Sequence, residues 1–148
     1  MSTVQAPVAG TVRALPGVSD PVFAAEMVGS GAAVEPRLEK QQVVSPMAGT
    51  LIKVLPHAFI VHDGSAGVLV HIGINTVKLR GEGFDVLLEE KQQVAAGQPV
   101  VAWDPQVVVE HEMDTVVLVC QMETEPGAIT PEGADCEVEQ GEPLFTTV

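Results

Sequence analysis

Tyrosine is missing from this 148-residue chain, tryptophan occurs once and phenylalanine four times. A core with so few rings must be built from aliphatic side chains, and valine dominates here. Basic residues are also scarce: seven Lys and Arg stand against twenty Asp and Glu, a formal charge of −13. Binding nucleic acid by counterion release needs clustered Lys and Arg, and no cluster is present. The same field repels anionic membranes and suits a basic protein partner. The two cysteines, Cys120 and Cys136, lie outside any CxxC spacing, which argues against a redox pair. We expect reduced thiols in a cytoplasmic protein rather than a disulfide. Apolar runs extend only a few residues, far short of the ~20 that a spanning helix needs. The first residues, MSTVQAPVAG, lack a basic n-region and an apolar h-region, so neither a secretory signal nor membrane insertion is expected.

What the chain does contain is strand signal. Short apolar or alternating runs such as GTVRAL, GTLIKVL, AFIVH, GVLVHIGI, QPVVAWD, TVVLVCQ and EPLFTTV are punctuated by Gly and Pro. We expect a single domain over residues 1–148, all-β, an antiparallel sandwich or barrel with one or two short helices. The candidate helices are FDVLLEEK (84–91) and DPQVVVEHEM (104–113), the latter with Asp104 as N-cap and Pro105 at the first helical position. An internal echo points to a duplicated motif. APVAGT (6–11) returns as SPMAGT (45–50), each leading into an apolar run that ends in Leu-Pro. VAAGQPVV (94–101) returns as VEQGEPLF (138–145). Two copies do not make a solenoid.

Three of the four histidines fall in HAFIVHDGSAGVLVHIGINTV (57–77). Alternation in the second half puts Val68, Val70, Ile72 and Ile74 on a core face and Leu69, His71, Gly73 and Asn75 on the other. A turn at Asp63-Gly64-Ser65 folds the segment into a hairpin that lets His57 approach His71. Neutral imidazole is nucleophilic near pH 7, so two oriented rings suit phosphoryl transfer. They also suit two positions of a tetrahedral zinc, or they are ordinary half-exposed strand histidines. Spacing alone leaves these three open.

The words around the histidines are more specific. HAF followed by VHIGINTVKLRGEGF resembles the glucose-type enzyme IIA domain of the bacterial phosphoenolpyruvate-dependent sugar phosphotransferase system. APVAGT, SDPVFAAEMVGSGAAVEP, SPMAGT, GQPVVAWD and GEPLF extend the resemblance over roughly the whole chain. It implies a β-sandwich with a shallow apolar depression, His71 as phosphoryl acceptor, His57 as the supporting histidine and the Gly73 carbonyl as the group that fixes the tautomer of His71. Asp20 and Asn75 are the implied rim residues that meet a partner. Phe59, which alternation along HAFIVHD from a strand start at His57 puts on the same face as that histidine, is expected to join them. The implied donor is HPr and the implied acceptor a cysteine on a sugar-specific IIB domain. Some relatives are also regulators of transporters or kinases according to phosphorylation state. No intrinsic cofactor is implied, although zinc between His57, His71 and a partner carboxylate is known in the family. This chain departs from the family pattern in three places: Asn75 replaces the usual aspartate, Leu55 stands where many relatives have a polar residue, and the hairpin is one residue shorter.

Other readings fare worse. A lysostaphin-type zinc peptidase needs HxxxD and HxH spacings, and neither occurs. A biotinyl or lipoyl carrier needs a lysine at a hairpin tip, where HEMDTV offers none. GEG (81–83) is no phosphate-binding loop, since GxxxxGK[ST] is absent. His62 reads as an exposed turn residue, and His111, beside Glu112 and Asp114, as a solvated helix residue. Phe84 and Trp103 read as packing. The sugar is not legible here.

Overall fold

A computed structural model describes residues 2–148. Thirteen strands run as β1 (Thr3–Gln5), β2 (Gly10–Arg13), β3 (Gly29–Pro36), β4 (Gln41–Val44), β5 (Gly49–Leu55), β6 (Ala58–His62), β7 (Gly67–Ile72), β8 (Phe84–Val86), β9 (Gln93–Val94), β10 (Pro99–Trp103), β11 (Val117–Met122), β12 (Glu137–Val138) and β13 (Pro143–Thr146). Two short helices, α1 (Pro21–Ala24) and α2 (Pro105–Glu110), interrupt them. Every pairing is antiparallel. One sheet has eight strands in the order β12-β2-β3-β11-β7-β6-β5-β9, and β4-β10-β8 and β1-β13 form two smaller sheets.

The alternation expected from the sequence builds the core. Val68, Val70 and Ile72 of β7 join Val117 and Val119 of β11 and Phe59 and Val61 of β6 in one apolar layer, and Val4, Val43, Val101, Leu144 and Phe145 from the smaller sheets close over it. Phe84 stacks on Trp103 with ring centroids 5.9 Å apart inside this core. A second cluster covers the other face of the large sheet. Leu15, Phe23, Ile74, Val116, Leu118 and Cys120 pack there beneath α1. Ile74 therefore leaves the face assigned to it by alternation, because β7 ends at Ile72 and the chain turns at Gly73.

The sequence echo is a pseudo-two-fold axis. The amide of Gln5 donates to the Pro46 carbonyl at 2.8 Å, and the equivalent amide of Val44 donates to the Pro7 carbonyl at 3.1 Å. Val4 pairs with Phe145 as Val43 pairs with Val101, and Gly10 with Val138 as Gly49 with Val94. The large sheet is accordingly palindromic, two four-stranded halves joined at β11–β7.

Of the two helices expected, 104–113 forms as α2, with the Asp104 side chain accepting from the Gln106 amide, but it stops at Glu110. The expectation for FDVLLEEK is wrong. Phe84 pairs with Trp103 as strand β8, and Val86 and Leu87 are exposed instead of forming one buried helical stripe. Both thiols are free, Cys120 buried and Cys136 exposed. No helix of the described residues is long and apolar enough to cross a membrane.

Candidate functional site

His71 sits near the end of β7, on the face away from the main core. Ala58 is its cross-strand partner on one side and Leu118 on the other. His57 occupies the tight turn that joins β5 to β6, where Leu55 pairs with Ala58. Its carbonyl accepts from the Ile72 amide at 2.7 Å, which ties the turn to the end of β7. The two imidazoles meet edge to face, centroids 5.2 Å apart and planes at 77°. Phe23 of α1 stands against the second side of His71, also at 5.2 Å.

The tautomer of His71 follows from its partner. Nδ1 lies 2.7 Å from the Gly73 carbonyl oxygen. A carbonyl only accepts, so Nδ1 carries the proton and the lone pair is left on Nε2. Gly73 reaches this position with φ +77°, and a Cβ there would lie 2.5 Å from Thr76 Cγ2 and 3.0 Å from the Asp114 carbonyl oxygen. Glycine is required on both counts. The turn is held further by Gly73 N–H to the Val116 carbonyl at 2.9 Å and by Thr76 Oγ1–H to the Ile72 carbonyl at 2.6 Å.

Burial disfavours the charged form of both rings. The pKa of His57 lies below 6.5, chiefly from burial and then from the neighbouring His71. That of His71 is also lowered by burial, opposed by its hydrogen bond to Gly73 and by the charge of Asp20. Both rings are therefore neutral at physiological pH, the form in which imidazole is a nucleophile. Asp20 serves α1 as well: its Oδ1 accepts from the amides of Val22 and Phe23, at 2.8 and 3.2 Å. The cap that starts the helix thus sets the Phe23 ring beside His71.

A model of the family described as phosphoenolpyruvate-dependent sugar phosphotransferase system, EIIA 1, matches residues 2–126. The chain belongs to this EIIA family. It is 36% identical over 148 residues to the glucose-specific EIIA component of Halalkalibacterium halodurans, covering 98% of this chain and 84% of that protein. Over 101 residues it is 46% identical to the N-acetylglucosamine-specific EIICBA component of Escherichia coli, covering 66% of this chain and 15% of that protein. The beta-glucoside-specific EIIBCA component of Bacillus subtilis is 36% identical over 131 residues, covering 86% of this chain and 21% of that protein. Among solved structures, the glucose permease IIA of Mycoplasma capricolum superposes with a TM-score of 0.84 at 32% identity, covering 97% of this chain and 94% of that one. The fold is the EIIA β-sandwich, and the family role is that of a phosphocarrier in a sugar phosphotransferase system.

Not every residue expected at the EIIA site is there. Phe59 is wholly buried in the main core, so the expectation that it meets a partner is corrected. Asn75 is exposed, in left-handed backbone with φ +65°, a conformation that Asn tolerates as Asp does. His62 lies at the far end of the hairpin, where its Nδ1 accepts from the Gly64 amide. His111 caps α2, its ring 2.8 Å from the Val107 carbonyl. Among the described residues no group of three or more His, Cys, Asp or Glu is placed to hold a metal. The sequence reading missed Phe23, although Asp20-Pro21 is the N-cap and first-turn pair that would have placed a helix there.

Proposed function

We propose that His71 accepts a phosphoryl group from HPr and passes it to a cysteine of a sugar-specific IIB domain. The observation that carries this reading is the Nδ1–H bond to Gly73, which leaves Nε2 as the nucleophile. The Nε2 lone pair attacks phosphorus while the bond from phosphorus to the donor breaks, and its electron pair leaves with the donor. The second transfer runs the same way toward the acceptor thiolate. His57, neutral and edge-on to His71, has a ring N–H to give to the phosphoryl oxygens. Such a transfer depends mainly on positioning and on stabilising the oxygens' charge. Relatives in which EIIA is fused to EIIB and EIIC components support IIB as the receiving partner. Asp20 and Asn75, near the site, are suited to a basic carrier surface. A zinc ion bound by His57 and His71 would take its remaining ligands from a partner, since zinc prefers four.

His57→Gln separates the two half-reactions. It should leave acceptance from phospho-HPr within about threefold of wild type and slow donation to IIB roughly a hundredfold, the range lost when one hydrogen-bond donor to developing oxygen charge is removed. Rapid-quench transfer of labelled phosphate measures both. Donation at the wild-type rate would refute the role given to His57.

A further inference from the structure

Asp114 belongs to neither the histidine pair nor its family motif, yet three parts of the site converge on it. Its Oδ2 accepts from Ser19 Oγ–H at 2.9 Å, and its Oδ1 from the Val116 amide at 2.9 Å. Its backbone carbonyl accepts from the Ile74 amide at 2.9 Å and would collide with a Cβ at Gly73. Ser19 is next to Asp20, whose cap seats Phe23 against His71. Gly73 holds the proton-bearing nitrogen of His71. One residue thus binds the segment that walls the ring on one side and the turn that orients it from below.

We propose that Asp114 is a positioning residue for phosphoryl transfer, tying the Ser19–Phe23 wall to the Gly73–Ile74 turn and so setting where the His71 ring stands. This rests on the reading of His71 as the acceptor. The physical ground is that reacting groups must be held near attack geometry, and a misplacement of about 1 Å can cost as much as a hundredfold in rate. The carboxylate holds Ser19 on one side and the Val116 amide on the other, while the backbone carbonyls of Asp114 and Val116 hold the Ile74 and Gly73 amides, so the ring's neighbours are kept in register. What Asp114 contributes is a pair of hydrogen bonds rather than charge. An amide at this position keeps Oδ1 to accept from the Val116 amide and can donate its N–H to the Ser19 hydroxyl oxygen, so the link survives without the charge, which is the basis of the test.

The experiment uses the full chain, with Ser19→Ala, Asp114→Ala and Asp114→Asn compared for the rate of phosphoryl uptake from phospho-HPr. The ring proton shifts of His71 are recorded by NMR in the same samples. Ser19→Ala and Asp114→Ala should each slow uptake roughly tenfold and displace the His71 ring resonances, while amide shifts of β2 and β13 stay in place. Asp114→Asn should recover most of the rate. The pair Ser19→Ala/Asp114→Ala should be no slower than Asp114→Ala alone, because both remove the same bond. Ser19→Ala and Asp114→Ala at wild-type rate with unmoved His71 resonances would overturn the proposal. So would an Asp114→Asn as slow as Asp114→Ala, which would mean that the charge is what matters. Failure of the acceptor reading is a separate result: His71→Gln would still take up phosphate whatever the Asp114 variants do.

Discussion

At the scale of single residues, the site is an argument about one proton. The Gly73 carbonyl keeps it on Nδ1 of His71, and burial keeps a second proton off Nε2. The sign of the pH dependence follows from proton counts. Both histidines have folded pKa values lowered from 6.5, so between those values and 6.5 the unfolded chain binds more protons. Their contribution to stability is full above 6.5 and shrinks as pH falls through that window. Proton NMR of the ring resonances should give midpoints below 6.5 for both, and the rate of phosphoryl uptake should fall with acid over the same range. A midpoint at or above 6.5 for His71 would contradict the burial argument. Gly73→Ala should cost on the order of 1–3 kcal/mol, since it forces a side chain into left-handed backbone against Thr76 and Asp114. It should also slow uptake, because the carbonyl that fixes the tautomer moves; urea melts and transfer kinetics check the two effects. Both histidines were legible in the sequence through the motif words around them. Phe59 was misread because His57 was taken as part of a strand. It lies in the turn before β6, so counting two residues onward leads into the core and not along the rim.

At the scale of elements, the hairpin β6–β7 brings the rings together, and its turn is held by Asp63. Oδ1 of Asp63 accepts from the amides of Ser65 and Ala66, and Oδ2 accepts from Ser2 Oγ–H. These bonds pull its pKa from 3.8 to about 2, the backbone bond to Ala66 contributing most. The carboxylate's contribution is present above 3.8 and is lost as pH falls toward 2. Because the group is only partly shielded from water, that contribution is modest. Asp63→Ala should lower stability by about 1 kcal/mol at pH 7 and flatten the acid dependence between about pH 4 and pH 2, both read by chemical denaturation. An unchanged midpoint at pH 7 would mean that the turn does not need its side chain. The turn itself was legible in Asp63-Gly64-Ser65, as was the start of α2 in Asp104-Pro105. The strand β8 was not, because FDVLLEEK has helix-forming residues and only its pairing with Trp103 decides its conformation. Tertiary contacts override local propensity in such short segments.

For the molecule as a whole, the pseudo-two-fold axis explains why there is one site and not two. The axis passes through the Val70–Val119 pair, and on either side of it His71 faces Leu118 and Cys120 faces Leu69. Cys120 is therefore the counterpart of His71. It is fully buried, and burial pushes its thiol up to about 12, so it is no nucleophile at neutral pH. The repeated APVAGT and SPMAGT made the duplication legible, and the axis also places Val68-Leu69-Val70 of β7 on Val117-Leu118-Val119 of β11, an echo the sequence reading did not use. The halves diverge at the next position, His71 in one and Cys120 in the other. The central claim is that the surviving half transfers phosphate through His71. Intact mass after incubation with phosphoenolpyruvate, enzyme I and HPr tests it most directly, with His71→Gln alongside. The expected result is one acid-labile phosphoryl group on the wild-type chain and none on His71→Gln. An unmodified wild-type chain in the presence of competent phospho-HPr, or a His71→Gln chain that still gains the phosphoryl mass, would contradict it.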